Sequence, residues 1–346
     1  MLYRVINTDE VLALITAFME SYEVVAPVTK NGVTTFRAIK DAREVDLSSP
    51  HSAGSLKRFF LPPKETLFTF DKNANVLTEY EETITPRVIF GAHACDINAL
   101  NRLDLVFKDG KYPDPYYTAR REATLIIGVS CMPDESCFCN LWGSDEAHFG
   151  YDLFLWDLGT GVSLVSMSNV EATNILESTC DLRVATDEDR VAFRKLTRRR
   201  QESFSTEIPG IQEVAMLMDV FHKDPFWDEL GTDCMSCSAC ASVCPSCFCF
   251  DIADTLDPNG KTGKRERVWD ACTSPQFARV AGGHNFRATA RDRVRHRMYH
   301  KLNGFLSTHD RMLCVGCGRC VKACKANINP IRVLKFFEGK AVSDAE

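Results

Sequence analysis

The chain has 346 residues, 45% of them hydrophobic and 25% charged, with a formal net charge of −6. That balance suits a soluble globular protein with material for two or three cores, and it excludes a disordered tail, a collagen and a coiled coil. The longest stretch without a charged side chain, Cys234–Phe250, is a cysteine cluster rather than an apolar span, so no transmembrane helix is predicted. The acidic balance argues against nucleic acid as the main partner. The opening residues Met1–Glu10 bring in acids before any apolar core, unlike a secretory signal. The reading is a soluble, cytoplasmic protein with no membrane partner.

In chain order, Thr8 starts an amphipathic run (Val11, Leu12, Leu14, Ile15, Phe18, Met19) at helical spacing, with Asp9 and Glu10 suited to a helix N-terminus. Residues 22–28 and 32–39 read as short strands. Residues 87–91 form a strand entering the loop His93-Ala-Cys-Asp96, and a helix pattern follows over 99–106. Residues 123–130 are a buried-strand run ending at Cys131, and residues 151–156 and 162–166 are two strands about a Gly159-Thr-Gly161 turn. Thr186 and Asp189 have the spacing of a capping box before a charged helix. The basic middle of that helix, 194–200, reads more simply as a solvated face than as a binding site. Residues 211–227 are helical, and strand signals fade from about 205 onward. The predicted architecture is α+β: a mixed α/β domain over 1–205 and an all-helical domain over 206–346, ending in a short acidic tail.

Sixteen cysteines decide the class. In a long chain without an export signal, such a number points to metal rather than to disulfides. Eight fall in an internal repeat, Cys234, Cys237, Cys240, Cys244 and Cys314, Cys317, Cys320, Cys324, both with the spacing C-x2-C-x2-C-x3-C. This is the ferredoxin run. Three thiolates on one curling loop cap three corners of an iron–sulfur cube, and the fourth, starting the next helix, reaches the neighbouring cube. Cys234, Cys237, Cys240 and Cys324 are therefore assigned to one [4Fe–4S] cluster, and Cys314, Cys317, Cys320 and Cys244 to a second. Small residues (Ser236, Ser238, Ala239, Gly316, Gly318) let the backbone approach and donate N–H groups. Structural zinc, which takes four ligands as two pairs, fits two such runs poorly. Lys325 replaces the proline usual after the second run. The long helical pattern between the runs leaves no room for a compact βαβ ferredoxin, hence the all-helical expectation.

Cys95, Cys131, Cys137 and Cys139 follow two strands whose C-terminal loops would meet if the strands are neighbours, giving four thiolates and a third cluster. The alternative is that they are buried apolar cysteines. Cys247, Cys249 and Cys272 form a further set, with His284 as a candidate non-cysteine fourth ligand and a satisfied structural histidine as the alternative. Cys180 reads as structural. Arg287, Arg291, Arg293, Arg295, Arg297 and Lys301 form a basic stretch that is either a solvated helix face or a docking surface for an acidic partner. No G-x-G-x-x-G, Walker loop or G-x-S-x-G is present. The chain can pass electrons, yet it shows no acid, base or nucleophile with which to start or finish a reaction.

Residues 91–104, Cys137-Phe-Cys139, Cys244-Pro-Ser-Cys-Phe-Cys249, Trp269-Asp-Ala-Cys272, residues 281–287 and Cys314-Val-Gly-Cys-Gly-Arg-Cys320 resemble one family. It is that of the beta subunit of cytosolic nickel–iron sulfhydrogenases, with the corresponding iron–sulfur subunit of anaerobic sulfite reductase as a relative. Residues 62–68 and 112–117 extend the resemblance over nearly the whole chain, and 112–117 and 137–152 lean towards the hydrogenase branch. The resemblance implies an iron–sulfur electron-transfer subunit. Its partners would be an FAD subunit that meets NAD(P)H and a catalytic subunit, either a NiFe hydrogenase or a sirohaem sulfite reductase. Three other classes remain open at this point. They are a disulfide- or sulfur-reducing protein with a catalytic cluster, a nucleic-acid enzyme with structural clusters, and a zinc scaffold.

Overall fold

The computed structural model describes residues 4–50, 52–79, 83–208 and 211–343; Met1–Tyr3 and the end of the acidic tail lie outside them. In chain order the strands are β1 (Arg4–Asn7), β2 (Glu23–Lys30), β3 (Val33–Ala38), β4 (Lys64–Asp71), β5 (Val76–Glu79) and β6 (Arg87–Ala92), then β7 (Thr124–Val129), β8 (Leu153–Asp157), β9 (Val162–Met167), β10 (Arg183–Val184), β11 (Phe250–Leu256) and β12 (Thr262–Trp269). The chain forms two compact units, each discontinuous in sequence. The first takes Met1–Leu56, Ile84–Pro209 and Cys314–Lys322; the second takes Lys57–Thr83, Gly210–Leu313 and Ala323–Glu346. The two ranges expected from composition, 1–205 and 206–346, are each one segment; the units exchange segments across that boundary. The second cysteine run is itself divided: Cys314, Cys317 and Cys320 belong to the first unit and Cys324 to the second.

The first unit is built on an eight-stranded sheet of order β10-β1-β9-β8-β7-β6-β2-β3. Its centre, β2-β6-β7-β8, is parallel, which requires crossover connections and burial on both faces. The sequence meets that requirement, since β7 (TLIIGV) is buried at every position. Apolar side chains of helix α1 (Val11–Met19) pack on the sheet, with Leu14, Ile15 and Phe18 fully buried. Cys180 lies in this same core, as read from sequence. The strands before Cys95 and Cys131, β6 and β7, are parallel neighbours. Their C-terminal loops therefore leave one edge of the sheet together. Helix α2 (Ala94–Phe107) starts there, five residues earlier than its sequence pattern suggested.

The second unit departs from the all-helical expectation. Its helices Phe226–Asp233, Ala290–Tyr299 and Pro330–Ser343 are accompanied by a four-stranded sheet, β11-β12-β4-β5. Two reasons hid it. Strand β12 reads Thr-Gly-Lys-Arg-Glu-Arg-Val-Trp, with charges where a strand usually shows apolar alternation, and β11 is exposed throughout. Moreover β12 pairs with β4, far upstream in sequence, where Arg267 meets Glu65 at 2.7 Å with both side chains 6% exposed. Charge on a strand is tolerated when the partner strand supplies its opposite. The helical part closes around aromatic rings: Phe221 stacks on Phe337 at 4.9 Å, and the buried Trp227 donates from Nε1 to the Phe221 carbonyl. Among the described residues, no helix is long and apolar enough to cross a membrane.

One ion pair ties the first unit's cysteine-bearing segments together. Arg319, between Cys317 and Cys320, meets Asp96 of α2 at 2.8 Å with both side chains 1% exposed. It also donates to the backbone carbonyl of Ser52 (2.9 Å) and to its hydroxyl (3.2 Å). Removing one member of a buried pair strands the other charge, at a cost of about 3–5 kcal/mol. Arg319→Met and Asp96→Asn should each lower the unfolding free energy by roughly that amount in anaerobic urea titrations, and the double variant should lose less than their sum.

Candidate metal centres

In the second unit, Cys234, Cys237, Cys240 and Cys324 line one cavity of about 290 Å³, with Thr273 and Val294 in its wall. At about 30 Å³ per water, that is room for a polyatomic group rather than one ion. The loop bearing three of these thiols turns left-handed at Ser236 and Ser238, with φ of 54° and 62°. Residues in that region cost about 1–2 kcal/mol each unless they are glycine. The strain has a use: alternating right- and left-handed residues point successive N–H groups into a concavity that suits an anion, including the sulfides of iron–sulfur sites. Arg293 braces the loop from the helix Ala290–Tyr299 by donating to Ser236 Oγ at 3.0 Å. The Ile328 N–H donates to Cys324 Sγ at 3.3 Å. Four thiols and a nest of N–H groups fit an anionic cluster.

The second run repeats this backbone in the first unit. Gly316 and Gly318 take the places of Ser236 and Ser238, with φ of 66° and 75°. Here glycine is also required by space. A Cβ on Gly316 would stand 2.4 Å from the Phe138 carbonyl oxygen, and one on Gly318 2.5 Å from that of Ser136. The segment 136–139 therefore lies directly on the loop, and the Phe138 N–H donates to the Gly316 carbonyl at 2.8 Å. Cys314, Cys317 and Cys320 are all buried.

That approach gathers a second set of thiols. Cys95, Cys131, Cys137 and Cys139 line one pocket together with Cys317, Asp145 and Arg200. Three sequence segments at one sheet edge thus converge as their placement suggested, joined by a cysteine of the second run that the sequence reading did not put there. Burial pushes the Cys95 and Cys139 thiols well up, and raises Cys137 to about 12. Cys131 differs. Burial works upward there too, but the charge and hydrogen bond of the buried His93 outweigh it, and the net direction is down. His93 is a neighbour that sequence reasoning missed; its signal was its place two residues before Cys95.

A third set lies in the second unit. Cys247, Cys249 and Cys272 line an enclosed cavity with Ser246, Arg297, His300 and Lys301. Cys247 donates to Cys244, which holds Cys244 well down and raises Cys247. Cys272 likewise donates to Cys249, lowering it to about 6. Arg297 donates to Cys247 Sγ at 3.3 Å, Lys57 to the Cys247 carbonyl at 3.1 Å, and Lys301 to Ser246 Oγ at 3.0 Å. These three cations are each 4% exposed. His300 is pushed down to about 4 by burial, then by Lys301 and its other cationic neighbours, so its imidazole is neutral and has a lone pair to donate. His284, the candidate from sequence, is exposed, and its ring sits edge-on to Phe286 at 4.8 Å.

The basic stretch is also redistributed. Arg293, Arg297 and Lys301 are buried rather than solvated, while Arg291 pairs with Asp228 and Arg295 with Asp292. The signal was present in the sequence: 293, 297 and 301 are four residues apart, one stripe of a helix. Among the described residues, no three His, Cys, Asp or Glu side chains converge as a single metal ion requires; the thiols stand around cavities instead.

Residues 233–328 match the family described as a 4Fe-4S dicluster domain. That segment contains both cysteine runs together with Cys247, Cys249 and Cys272, and it indicates iron–sulfur clusters. The chain is similar to the protein named sulfhydrogenase 2 subunit beta of Pyrococcus furiosus, with 34% identity over 312 residues, 90% of this chain and 91% of that protein.

Gly316→Ala tests the contact between the second run and the segment 136–139. The left-handed backbone and the overlap together should cost roughly 2–5 kcal/mol. Cys137 and Cys139 should alkylate at least tenfold faster in the variant, while Cys180 keeps its rate.

Proposed function

The chain belongs to the sulfhydrogenase beta-subunit family, and from that premise we propose that it is the iron–sulfur electron-transfer subunit of a cytoplasmic hydrogenase-type complex. Its partners in this reading are an FAD subunit that meets NAD(P)H and a NiFe hydrogenase catalytic subunit. Likeness to a sulfhydrogenase subunit favours that partner over a sirohaem sulfite reductase. The observation that carries the reading is the shared cavity of Cys234, Cys237, Cys240 and Cys324, since it unites a thiol from the second run with three from the first, as a dicluster ferredoxin requires.

By the spacing rule Cys314, Cys317, Cys320 and Cys244 hold a second [4Fe–4S] cluster, and Cys95, Cys131, Cys137 and Cys139 a third. Such clusters, when bound, supply one-electron chemistry. The protein's own work is to hold and tune them. Thiolates provide the ligands, the left-handed turns aim N–H groups at the sulfides, and buried cations offset negative charge. No side chain acts as acid, base or nucleophile.

Anaerobically prepared full-length protein should be brown and accept electrons from the reduced flavin subunit, read as new low-temperature EPR signals. Cys324→Ala should lose about four irons and the signal of the cluster at Cys234, leaving that of the cluster at Cys314. A protein that carries zinc instead of iron, or whose clusters stay oxidised with the reduced partner present, would overturn the relay.

A further inference from the structure

The third thiol set is built more completely than a chance meeting of cysteines. Phe250 pairs with Trp269 at one end of the β11–β12 hairpin. Cys249 precedes the first of these residues and Cys272 follows the second by three positions. The Asp270 N–H donates to the Cys249 carbonyl at 3.0 Å, extending the pairing towards the thiols. Cys247 and Cys272 are 8% and 3% exposed. Opposite them, the helix Ala290–Tyr299 passes into a π-turn, His300–Gly304. Such turns cost regular hydrogen bonding and recur at functional sites. This one begins at His300, which lines the same cavity as the three thiols and packs edge-on to Phe248 at 5.7 Å, the residue between Cys247 and Cys249.

We propose that Cys247, Cys249, Cys272 and His300 form a further iron–sulfur site, a Cys3His centre in which the imidazole is the fourth donor. The donor set suits it. Three thiolates and one neutral imidazole carry one negative charge less than four thiolates, and Arg297, Lys57 and Lys301 surround the sulfur with further positive charge. Both features raise the reduction potential of a cluster, as replacing cysteine by histidine does elsewhere. This centre would accept electrons more readily than its all-cysteine neighbours. The inference rests on the chain being an iron–sulfur protein and adds a centre beyond the two runs. Cys244 is the competing fourth donor, through its hydrogen bond with Cys247.

The test uses full-length protein, prepared anaerobically and reduced with dithionite. Pulsed EPR should show a strongly coupled nitrogen that shifts on 15N-histidine labelling, disappears in His300→Ala and persists in Cys244→Ala. His300→Cys should keep its iron and lower the midpoint potential of this centre, which a merely structural role for His300 would not do. Cys272→Ala should lose about four irons and the nitrogen-coupled signal together. If nitrogen coupling is absent in the unaltered protein, or survives His300→Ala, the assignment is wrong while the relay stands on the Cys324→Ala result. If Cys244→Ala alone removes this cluster, Cys244 is the donor and the proposal falls. A protein without iron overturns both.

Discussion

The first unit depends on a buried charge pair. Arg319 sits between two cysteines of the second run, and Asp96 follows Cys95 on the first turn of α2, so their contact holds the two thiol-bearing segments in register. A buried pair is weak evidence of net stability, because desolvation offsets most of its attraction. Its value here is positional. With both side chains out of solvent, any shift that parts them leaves a naked charge, and the loop can take only the arrangement in which they meet. The Arg319 charge also acts on Cys95 and Cys317, so one guanidinium fixes the backbone and favours thiolate at once.

The same economy recurs in the second unit. Arg293 and Arg297 come from one helix stripe. Arg293 braces the left-handed turn at Ser236, and Arg297 touches Cys247 Sγ and the Cys240 carbonyl. Lys57 reaches the Cys247 carbonyl from a segment far upstream and lies over the Trp269 ring at 4.3 Å. Burying cations is costly, and these three places have in common a thiol-bearing loop. A surface helix rich in arginine would be ordinary; a buried arginine stripe aimed at sulfur is the mark of a site that holds negative charge.

Backbone strain is handled differently in the two runs. Serine occupies the left-handed positions of the first, where the loop is open enough for a side chain and Ser236 Oγ accepts a hydrogen bond from Arg293. Glycine occupies them in the second, where segment 136–139 leaves no room for a Cβ. The repeat therefore shares its dihedral angles while differing in the residues that produce them.

What the sequence determined by itself is local. Two runs at ferredoxin spacing, the helix starts at Thr8 and Thr186, and the buried strands β6 and β7 are readable because spacing, caps and hydrophobic periodicity are properties of neighbouring residues. The meeting of Cys95, Cys131, Cys137 and Cys139 was readable one step further, since parallel neighbouring strands leave from the same sheet edge. Only the tertiary structure decided the rest. It paired the charged strand β12 with β4, brought Cys317 to the first unit's thiols, left His284 exposed and turned His300 inward. It also converted an apparent solvated face, Arg293, Arg297 and Lys301, into buried countercharge. Each of these depends on which distant segment removes a side chain from water, and a one-dimensional pattern of charge carries no record of the partner that will cover it.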